Sequence, residues 1–186
     1  MTLSNFQRIL VFAGPNGSGK SSVTAAWEKV GLYINADDIK VKRGCSDMEA
    51  AQEAERLREI CLTKRHSFTF DTVLSTERNL DLLVRAKDEG YHIESVFILT
   101  IDPELNVFRV QSRVLSGGHD VPPEKIRSWY TKSLANIPKL ILLSNVFLLV
   151  DNTDKPEILY VKDETGVQIR VNRYWSADAI QKLIGV

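Results

Sequence analysis

The chain has 186 residues, and its 24 lysines and arginines balance 24 aspartates and glutamates, so its formal net charge is zero. A neutral chain has no overall field that would attract nucleic acid or an anionic lipid surface. A composition of 44% hydrophobic and 26% charged residues excludes a largely disordered chain. The sequence has no apolar run of the roughly 20 residues needed to cross a bilayer, and its first residues do not resemble a secretory signal. We therefore expect a cytoplasmic protein of one domain, residues 1–186, with neither nucleic acid nor membrane as partner.

Apolar, β-rich segments alternate with helical patterns along most of the chain. Strands are predicted at residues 8–13, 32–34, 67–70, 93–101 and 146–150, and helices at residues 20–29, 47–64, 76–89, 103–115 and 124–136. This alternation is typical of an α/β protein with a central, mostly parallel sheet flanked by helices.

The last 30 residues have a different pattern. Two β-rich segments, 158–162 and 168–172, flank Asp163-Glu164-Thr165-Gly166, which predicts a β-hairpin with glycine at a position of positive φ. A short helix over residues 177–184 is predicted to begin after Ser176. We expect this hairpin and helix, about residues 157–186, to complete the same domain.

Residues 14–21 read Gly-Pro-Asn-Gly-Ser-Gly-Lys-Ser and match the P-loop pattern G-x-x-x-x-G-K-[ST]. The segment lies between a predicted strand and a predicted helix, where backbone N–H groups and the helix N-terminus surround phosphate oxygens. We expect Lys20 to contact the β- and γ-phosphates and Ser21 to give a hydroxyl ligand to Mg²⁺. The predicted nucleotide contacts are Gly14, Pro15, Asn16, Gly17, Ser18, Gly19, Lys20, Ser21 and Ser22. ATP is favoured over GTP, because the sequence has no N-K-x-D segment that reads guanine.

Acidic residues follow two of the predicted strands. Asp37 and Asp38 come after the second strand, at the sheet edge where the P-loop is expected. Either carboxylate could orient an acceptor hydroxyl, accept its proton or help to hold Mg²⁺, or could simply cap the next helix. Asp71 follows the third strand and is predicted to contact Mg²⁺ or the substrate. Candidate substrate contacts are Asp38, Thr72 and His119.

A basic cluster surrounds a glycine-rich loop at residues 116–123. Residues 109–132 contain five lysines and arginines but only two acidic residues. Arginines beside such a loop are typical of a lid that neutralises charge on a transferred phosphoryl group. We predict a lid over about residues 109–136 with Arg113 and Arg127 as its catalytic arginines. The alternative is a solvated helix face.

Four segments together resemble the zeta-toxin-like family of P-loop kinases: residues 14–21, 35–39, 70–75 and 117–122. The resemblance covers about residues 8–153 and is greater to the short chromosomal branch, which is similar to UDP-N-acetylglucosamine kinases, than to the toxins proper. It implies transfer of the γ-phosphate of ATP, with Mg²⁺, to a hydroxyl of a small substrate. A UDP-amino sugar is the candidate acceptor, and a small antitoxin is a candidate partner.

The resemblance also implies roles for individual residues. Asp37 matches the proposed catalytic base, and Lys20 and Ser21 match the contacts to ATP and Mg²⁺. Arg113 matches the lid arginine, and Asn152 lies in a segment that resembles the family's loop near the adenine.

Two positions depart from the family pattern. Asp71 stands where the family has glutamate, so its side chain is one methylene shorter. Trp129 stands where relatives have an arginine, and Arg127, two residues earlier, points to a different helix face. Both departures predict weaker phosphoryl transfer.

Two other functions use the same motifs. Residues 115–119, Leu-Ser-Gly-Gly-His, resemble the L-S-G-G-Q signature of ABC-type ATPases, but Asn152 stands where such an ATPase needs a glutamate after its strand. The second alternative is a nucleotide-gated binding protein that holds ATP with little turnover. Phosphate transfer to an acceptor, release of free phosphate, and nucleotide-dependent binding without turnover distinguish the three functions.

Overall fold

A computed structural model describes residues 6–115 and 120–186 of the chain. The strands are β1 (Arg8–Ala13), β2 (Leu32–Ile34), β3 (Phe68–Thr72), β4 (His92–Leu99), β5 (Val146–Asp151), β6 (Glu157–Asp163) and β7 (Gly166–Ile169). The helices are α1 (Lys20–Ala25), α2 (Ala36–Arg43), α3 (Asp47–Thr63), α4 (Arg78–Asp88), α5 (Pro103–Leu115), α6 (Pro123–Ala135), α7 (Ile137–Leu143) and α8 (Ala177–Ile184).

The described strands form one sheet in the order β2-β3-β1-β4-β5-β6-β7. Strands β1 to β5 pair in parallel, and β6 and β7 extend the sheet in antiparallel pairs. Helices connect the parallel strands, as a parallel sheet requires. The predicted α/β fold, with a mostly parallel sheet flanked by helices and a C-terminal hairpin, is confirmed.

The central strand β1 is buried on both faces of the sheet. Ile9, Val11 and Ala13 belong to one apolar cluster, whereas Leu10 and Phe12 belong to a second. Side chains of a strand alternate between faces, so these two clusters lie on opposite sides of the sheet. A strand covered on both faces by helices has a continuous apolar sequence, which is why residues 9–13 contain no polar side chain.

Most predicted elements are found close to their predicted bounds. β1, β2, α5 and α8 begin and end where the sequence predicts. β3 continues to Thr72, so Asp71 lies within the strand and pairs with Phe12 of β1. The patterns missed α2 and α7, which have only 8 and 7 residues. Residues 116–119 of the predicted loop lie outside the described chain.

The C-terminal segment packs against the core through α8. Ile180 and Ile184 of this helix are buried in the larger apolar cluster. Ser176 is its N-cap, and the Ser176 hydroxyl accepts a hydrogen bond from the N–H of Ala179 at 3.2 Å. The sequence signal for the start of this helix is therefore confirmed. No helix in the described ranges has both the length and the apolarity to cross a membrane.

We expect Ser176→Ala to lower the free energy of unfolding by about 1 kcal/mol, because an N-terminal N–H of α8 loses its acceptor. Ser176→Asp retains an acceptor and should restore most of this loss. Urea unfolding of the three proteins measures both changes. Equal stability of Ser176→Ala and the unaltered protein would show that the cap does not stabilise α8.

Candidate functional site

The P-loop connects β1 to α1 and packs closely against neighbouring backbone. Gly14 and Gly17 have φ angles of 143° and 81°, which other residues rarely adopt. A Cβ atom on Gly14 would lie 2.0 Å from the carbonyl oxygen of Ile98 in β4. A Cβ atom on Gly17 would lie 2.4 Å from the carbonyl oxygen of Asn106 in α5. Only glycine therefore permits this curved loop to lie so near the sheet and α5.

A cavity of about 550 Å³ opens beside the P-loop. Its wall combines the start of α1, the first turns of α2 and α3, the end of β3, and parts of α5 and α6. The predicted site residues that line it are Asn16, Gly17, Gly19, Lys20, Ser21, Ser22, Asp37, Asp71, Thr72 and Arg113. The fold thus brings the phosphate-binding motif, two of the acidic residues and one arginine to the same cavity.

Three of the remaining P-loop residues have internal contacts. Gly14 and Pro15 offer their carbonyl oxygens to the Lys20 ammonium group, at 2.7 and 3.1 Å. Ser18 is fully buried, and its N–H donates to the carbonyl oxygen of Pro15 at 3.2 Å. These contacts hold the curvature of the loop from inside.

Lys20 lies between the phosphate-binding backbone and two carboxylates. Although the residue is partly open to the cavity, the surrounding protein desolvates its ammonium group and lowers the pKa of Lys20 to about 8. Asp71 and Asp37 oppose this shift, and the positive charge of Arg113 adds to it. Lys20 therefore loses its proton at a lower pH than an ordinary lysine does.

Opposing effects act on the pKa of the Asp71 carboxyl group. Burial raises the pKa of Asp71, while Lys20 and hydrogen bonds from Tyr33 and Asn35 oppose the rise. The Asn35 amide donates to Asp71 Oδ2 at 3.1 Å. Asp71 Oδ1 is buried with no hydrogen-bond partner among the described residues. Oδ1 is therefore an acceptor that no described residue satisfies, on a side chain that lines the cavity.

Asn35 organises this side of the site, although its side chain was not predicted to have a role. Its Oδ1 accepts hydrogen bonds from the N–H groups of Asp37 and Asp38, at 2.8 and 3.2 Å, so Asn35 is the N-cap of α2. Its amide also donates to the Tyr33 hydroxyl at 3.1 Å. Asn35 therefore frees Asp37 from the capping role that the sequence left open. An asparagine at the start of a helix was the signal that could have identified it.

Thr72 is less available than predicted. Its hydroxyl accepts hydrogen bonds from the N–H of Leu74 at 2.9 Å and from the Asn79 amide at 2.7 Å. Its carbonyl oxygen accepts from the N–H of Gly14 at 3.2 Å. Thr72 therefore joins the end of β3 to the P-loop, in addition to lining the cavity.

Three predicted site residues outside the P-loop, Asp38, Arg127 and Asn152, are not among the described residues that line the cavity. Asp38 lies in the first turn of α2 beside Asp37. Arg127 makes an exposed ion pair with Glu104, with contacts of 2.6 and 2.9 Å. Asn152 donates its amide to the carbonyl oxygen of Ser18. His119 falls outside the described residues. The structure therefore separates the two predicted lid arginines, since Arg113 lines the cavity and Arg127 does not.

Two further residues on the wall were not predicted to contact ligands. Arg109 of α5 donates to the carbonyl oxygens of Asn152 and Thr153, at 2.9 and 2.7 Å. Trp129 of α6 packs against the apolar cluster of Val107, Val110, Val121 and Ile126 and borders the cavity. Trp129, which the sequence resemblance sets where the family has an arginine, therefore borders the cavity with an aromatic ring.

The donor set suits Mg²⁺ held largely by phosphate and water. No group of three or more histidine, cysteine, aspartate or glutamate side chains among the described residues could enclose a metal. Mg²⁺ in nucleotide sites needs only one or two protein oxygens. The Ser21 hydroxyl and the Asp71 carboxylate line the same cavity and provide that number.

Comparisons with known proteins agree with this architecture. No model of a known protein family matches the sequence. A Haemophilus influenzae protein described as uncharacterized is 25% identical over 129 residues, which are 66% of this chain and 92% of that protein.

Two solved structures share the fold. One is a chain of the AvrRxo1-ORF1:AvrRxo1-ORF2 complex with ATP, with a TM-score of 0.72 and 16% identity over 97% of this chain. The present chain covers 64% of that chain's length. The other belongs to the PezAT chromosomal toxin–antitoxin system of Streptococcus pneumoniae, with a TM-score of 0.63 and 17% identity, covering 98% of this chain and 80% of that one. The chain therefore has the same mixed α/β fold as these two structures.

We expect the affinity for ATP to fall as pH rises above about 8, because Lys20 then loses the proton that gives it charge. A single linked proton predicts a decrease approaching tenfold per pH unit, until the pKa of Lys20 in the complex is reached. Calorimetric titration with ATP between pH 7 and 9.5 measures the slope. Lys20→Met should bind ATP weakly and without this slope; an equal slope in both proteins would assign the titration to another group.

Proposed function

We propose that the protein is an ATP-dependent kinase that transfers the γ-phosphate of ATP to a hydroxyl group of a small molecule. The observation that carries this proposal is the presence of Lys20, Ser21, Asp37 and Asp71 on the wall of one cavity. A relative of the same fold was crystallised with ATP, which supports the choice of nucleotide. A UDP-amino sugar is the first acceptor to test, from the resemblance in sequence.

In the proposed reaction, the carboxylate of Asp37 acts on the acceptor hydroxyl and that of Asp71 acts on the metal ion. The Asp37 carboxylate is exposed, and it accepts the proton of the acceptor hydroxyl. The acceptor oxygen then bonds to the γ-phosphorus as the bond to the β–γ bridging oxygen breaks, which releases ADP. Lys20 and Arg113 offset negative charge on the transferred group. Ser21 and Asp71 hold Mg²⁺, which when bound neutralises charge on the β- and γ-phosphate oxygens.

The phosphate end of the site follows from the P-loop. Its backbone N–H groups and the N-terminus of α1 present partial positive charge to an anion. The first turn of α1 has no acidic residue that would compete with phosphate. The proposed phosphate contacts therefore come from the P-loop backbone and Lys20. The acceptor is proposed to contact the part of the cavity wall formed by α2, α3 and α6.

A protein partner is a separate part of the proposal. The PezAT relative is part of a toxin–antitoxin system, and AvrRxo1-ORF1 was crystallised with AvrRxo1-ORF2. By this likeness we propose a small antitoxin-like protein as the partner of this chain. Co-expression with a neighbouring small reading frame, followed by purification of the pair, tests it.

We expect Asp37→Asn to lower kcat for phosphate transfer by about 100-fold, the lower end of what a general base contributes. ATP affinity should remain within about threefold, because the P-loop is unchanged. Lys20→Ala should bind ATP only weakly, as expected for Lys20→Met, and should lose transfer. Labelled ATP with a panel of nucleotide sugars measures transfer, and free phosphate is measured in parallel.

The same assay separates the proposed kinase from its two alternatives. Phosphate release that no acceptor increases would replace the kinase by an ATPase. ATP binding with neither transfer nor release would favour the nucleotide-gated binding protein. Full transfer by Asp37→Asn would remove Asp37 from the mechanism.

We expect Arg113→Ala to lower kcat by tenfold or more, because its guanidinium group borders the cavity. Arg127→Ala should have a smaller effect, since that arginine contacts Glu104 on an exposed surface. The two variants remove the same charge from neighbouring helices and are therefore matched. Equal losses of kcat would mean that α6 brings Arg127 to the site during turnover.

A further inference from the structure

The residue that follows β5, Asn152, contacts the P-loop but is not among the residues that line the cavity. Asn152 Nδ2 donates a hydrogen bond to the carbonyl oxygen of Ser18 at 2.8 Å. Ser18 is fully buried, and a Cβ atom on Gly19 would lie 2.1 Å from the same nitrogen. The amide of Asn152 therefore lies directly against the peptide that joins Ser18 to Gly19.

This contact sets the direction of one backbone donor. The described residues contain no cis peptide bond. In a trans peptide the C=O and N–H groups point in opposite directions. With the Ser18 carbonyl oriented to Asn152, the N–H of Gly19 points away from Asn152. Gly19, Lys20 and Ser21 line the cavity, so the N–H of Gly19 is presented on the phosphate-binding side.

Asn152 itself is held in a rigid turn. Asp151 is 2% exposed, and its Oδ1 accepts hydrogen bonds from the N–H and hydroxyl of Thr153, at 3.0 and 2.5 Å. The Thr153 hydroxyl also accepts from the N–H of Ile101 at 3.0 Å. The N–H of Asn152 donates to the carbonyl oxygen of Leu99 at 2.8 Å. These bonds attach the turn to the end of β4 and to the residues that follow it.

The turn has two further attachments. The Arg109 guanidinium donates to the carbonyl oxygens of Asn152 and Thr153, which ties the turn to the α5 wall of the cavity. Asn172, beyond β7, donates its amide to Asp151 Oδ2 at 2.8 Å. The carboxylate of Asp151 thus has partners on both oxygens. Because so many hydrogen bonds hold this turn, the Asn152 side chain loses little conformational entropy when it donates its hydrogen bond to Ser18.

From this network we infer that Asn152 is a positioning residue of the P-loop, which acts through Ser18 and not by contact with a nucleobase. The inference rests on the proposed function only in taking the P-loop as a triphosphate site. The sequence resemblance instead suggests an adenine contact for Asn152. Its amide is already bound to Ser18, and Asn152 does not line the cavity.

The test compares ATP with inorganic tripolyphosphate, which has the phosphates but no base. With Mg²⁺ present, we expect Asn152→Ala to weaken both ligands by the same factor, about tenfold, because one positioned hydrogen bond is lost. Calorimetry gives both dissociation constants. Loss of ATP affinity with unchanged tripolyphosphate affinity would overturn the inference in favour of a base contact.

Asn145→Ala is the matched control. Asn145 precedes β5 at its opposite end, and its Oδ1 accepts a hydrogen bond from the N–H of Ile93 at 2.9 Å. Both variants remove one bond between a side chain and the backbone, so both should lower Tm, but Asn145→Ala should bind ATP and tripolyphosphate as the unaltered protein does. Equal affinities of the two variants for both ligands would reduce Asn152 to a structural residue and overturn the inference.

A second variant covers a folding failure of Asn152→Ala. Asn152→Asp keeps the shape of the side chain but replaces the donor by an oxygen that repels the Ser18 carbonyl oxygen, so it should weaken both ligands at least as much. Unaltered protein that binds neither ligand would overturn the proposed function. Unaltered protein that binds both ligands, with unchanged affinities in Asn152→Asp, would overturn the positioning role alone.

Discussion

The close approach of the P-loop to β4 and α5 is the constraint from which the site follows. The loop can pack there only because Gly14 and Gly17 lack side chains. Because the P-loop packs so closely, the start of α1 lies beside the end of β3, which contains Asp71. The parallel sheet brings the residues that follow its strands together, because the carboxyl ends of the strands share one edge. The backbone of the P-loop and the acidic side chains thus lie side by side at this edge, although they are far apart in the sequence.

Charge balance at this edge makes the site responsive to an anion. Lys20 is desolvated, and its ordinary pKa is preserved only in part by Asp71 and Asp37. Asp71 in turn depends on Lys20 and Asn35 to offset its burial. A triphosphate adds negative charge beside Lys20 and stabilises its protonated form, while it repels the carboxylates unless a cation joins them. Binding of nucleotide and of Mg²⁺ is therefore expected to be coupled through the same few side chains.

The fold, and the place of the P-loop between β1 and α1, could be predicted from the sequence because both depend on local patterns. The P-loop motif and the apolar strands are contiguous in the chain. The missed contacts depend on distant segments: Asn35 meets Asp71 only because β2 pairs with β3, and Asn152 meets Ser18 across 134 positions. Short helices such as α2, with no buried residue, leave little apolar periodicity to detect.

The two departures from the family pattern have different physical consequences. The shorter Asp71 side chain is held by Asn35, which defines its position even without the extra methylene, and its Oδ1 has no partner among the residues that the structure describes. Trp129 adds packing to the α5–α6 wall but no charge, because its ring joins the cluster around Val110. In the proposed reaction, Arg113 is therefore the arginine on that wall assigned to neutralise the transferred phosphoryl group, while Arg109 is engaged with the turn after β5. Compared with the family pattern that the sequence resembles, Trp129 therefore gives this wall of the cavity an apolar ring in place of a charged group.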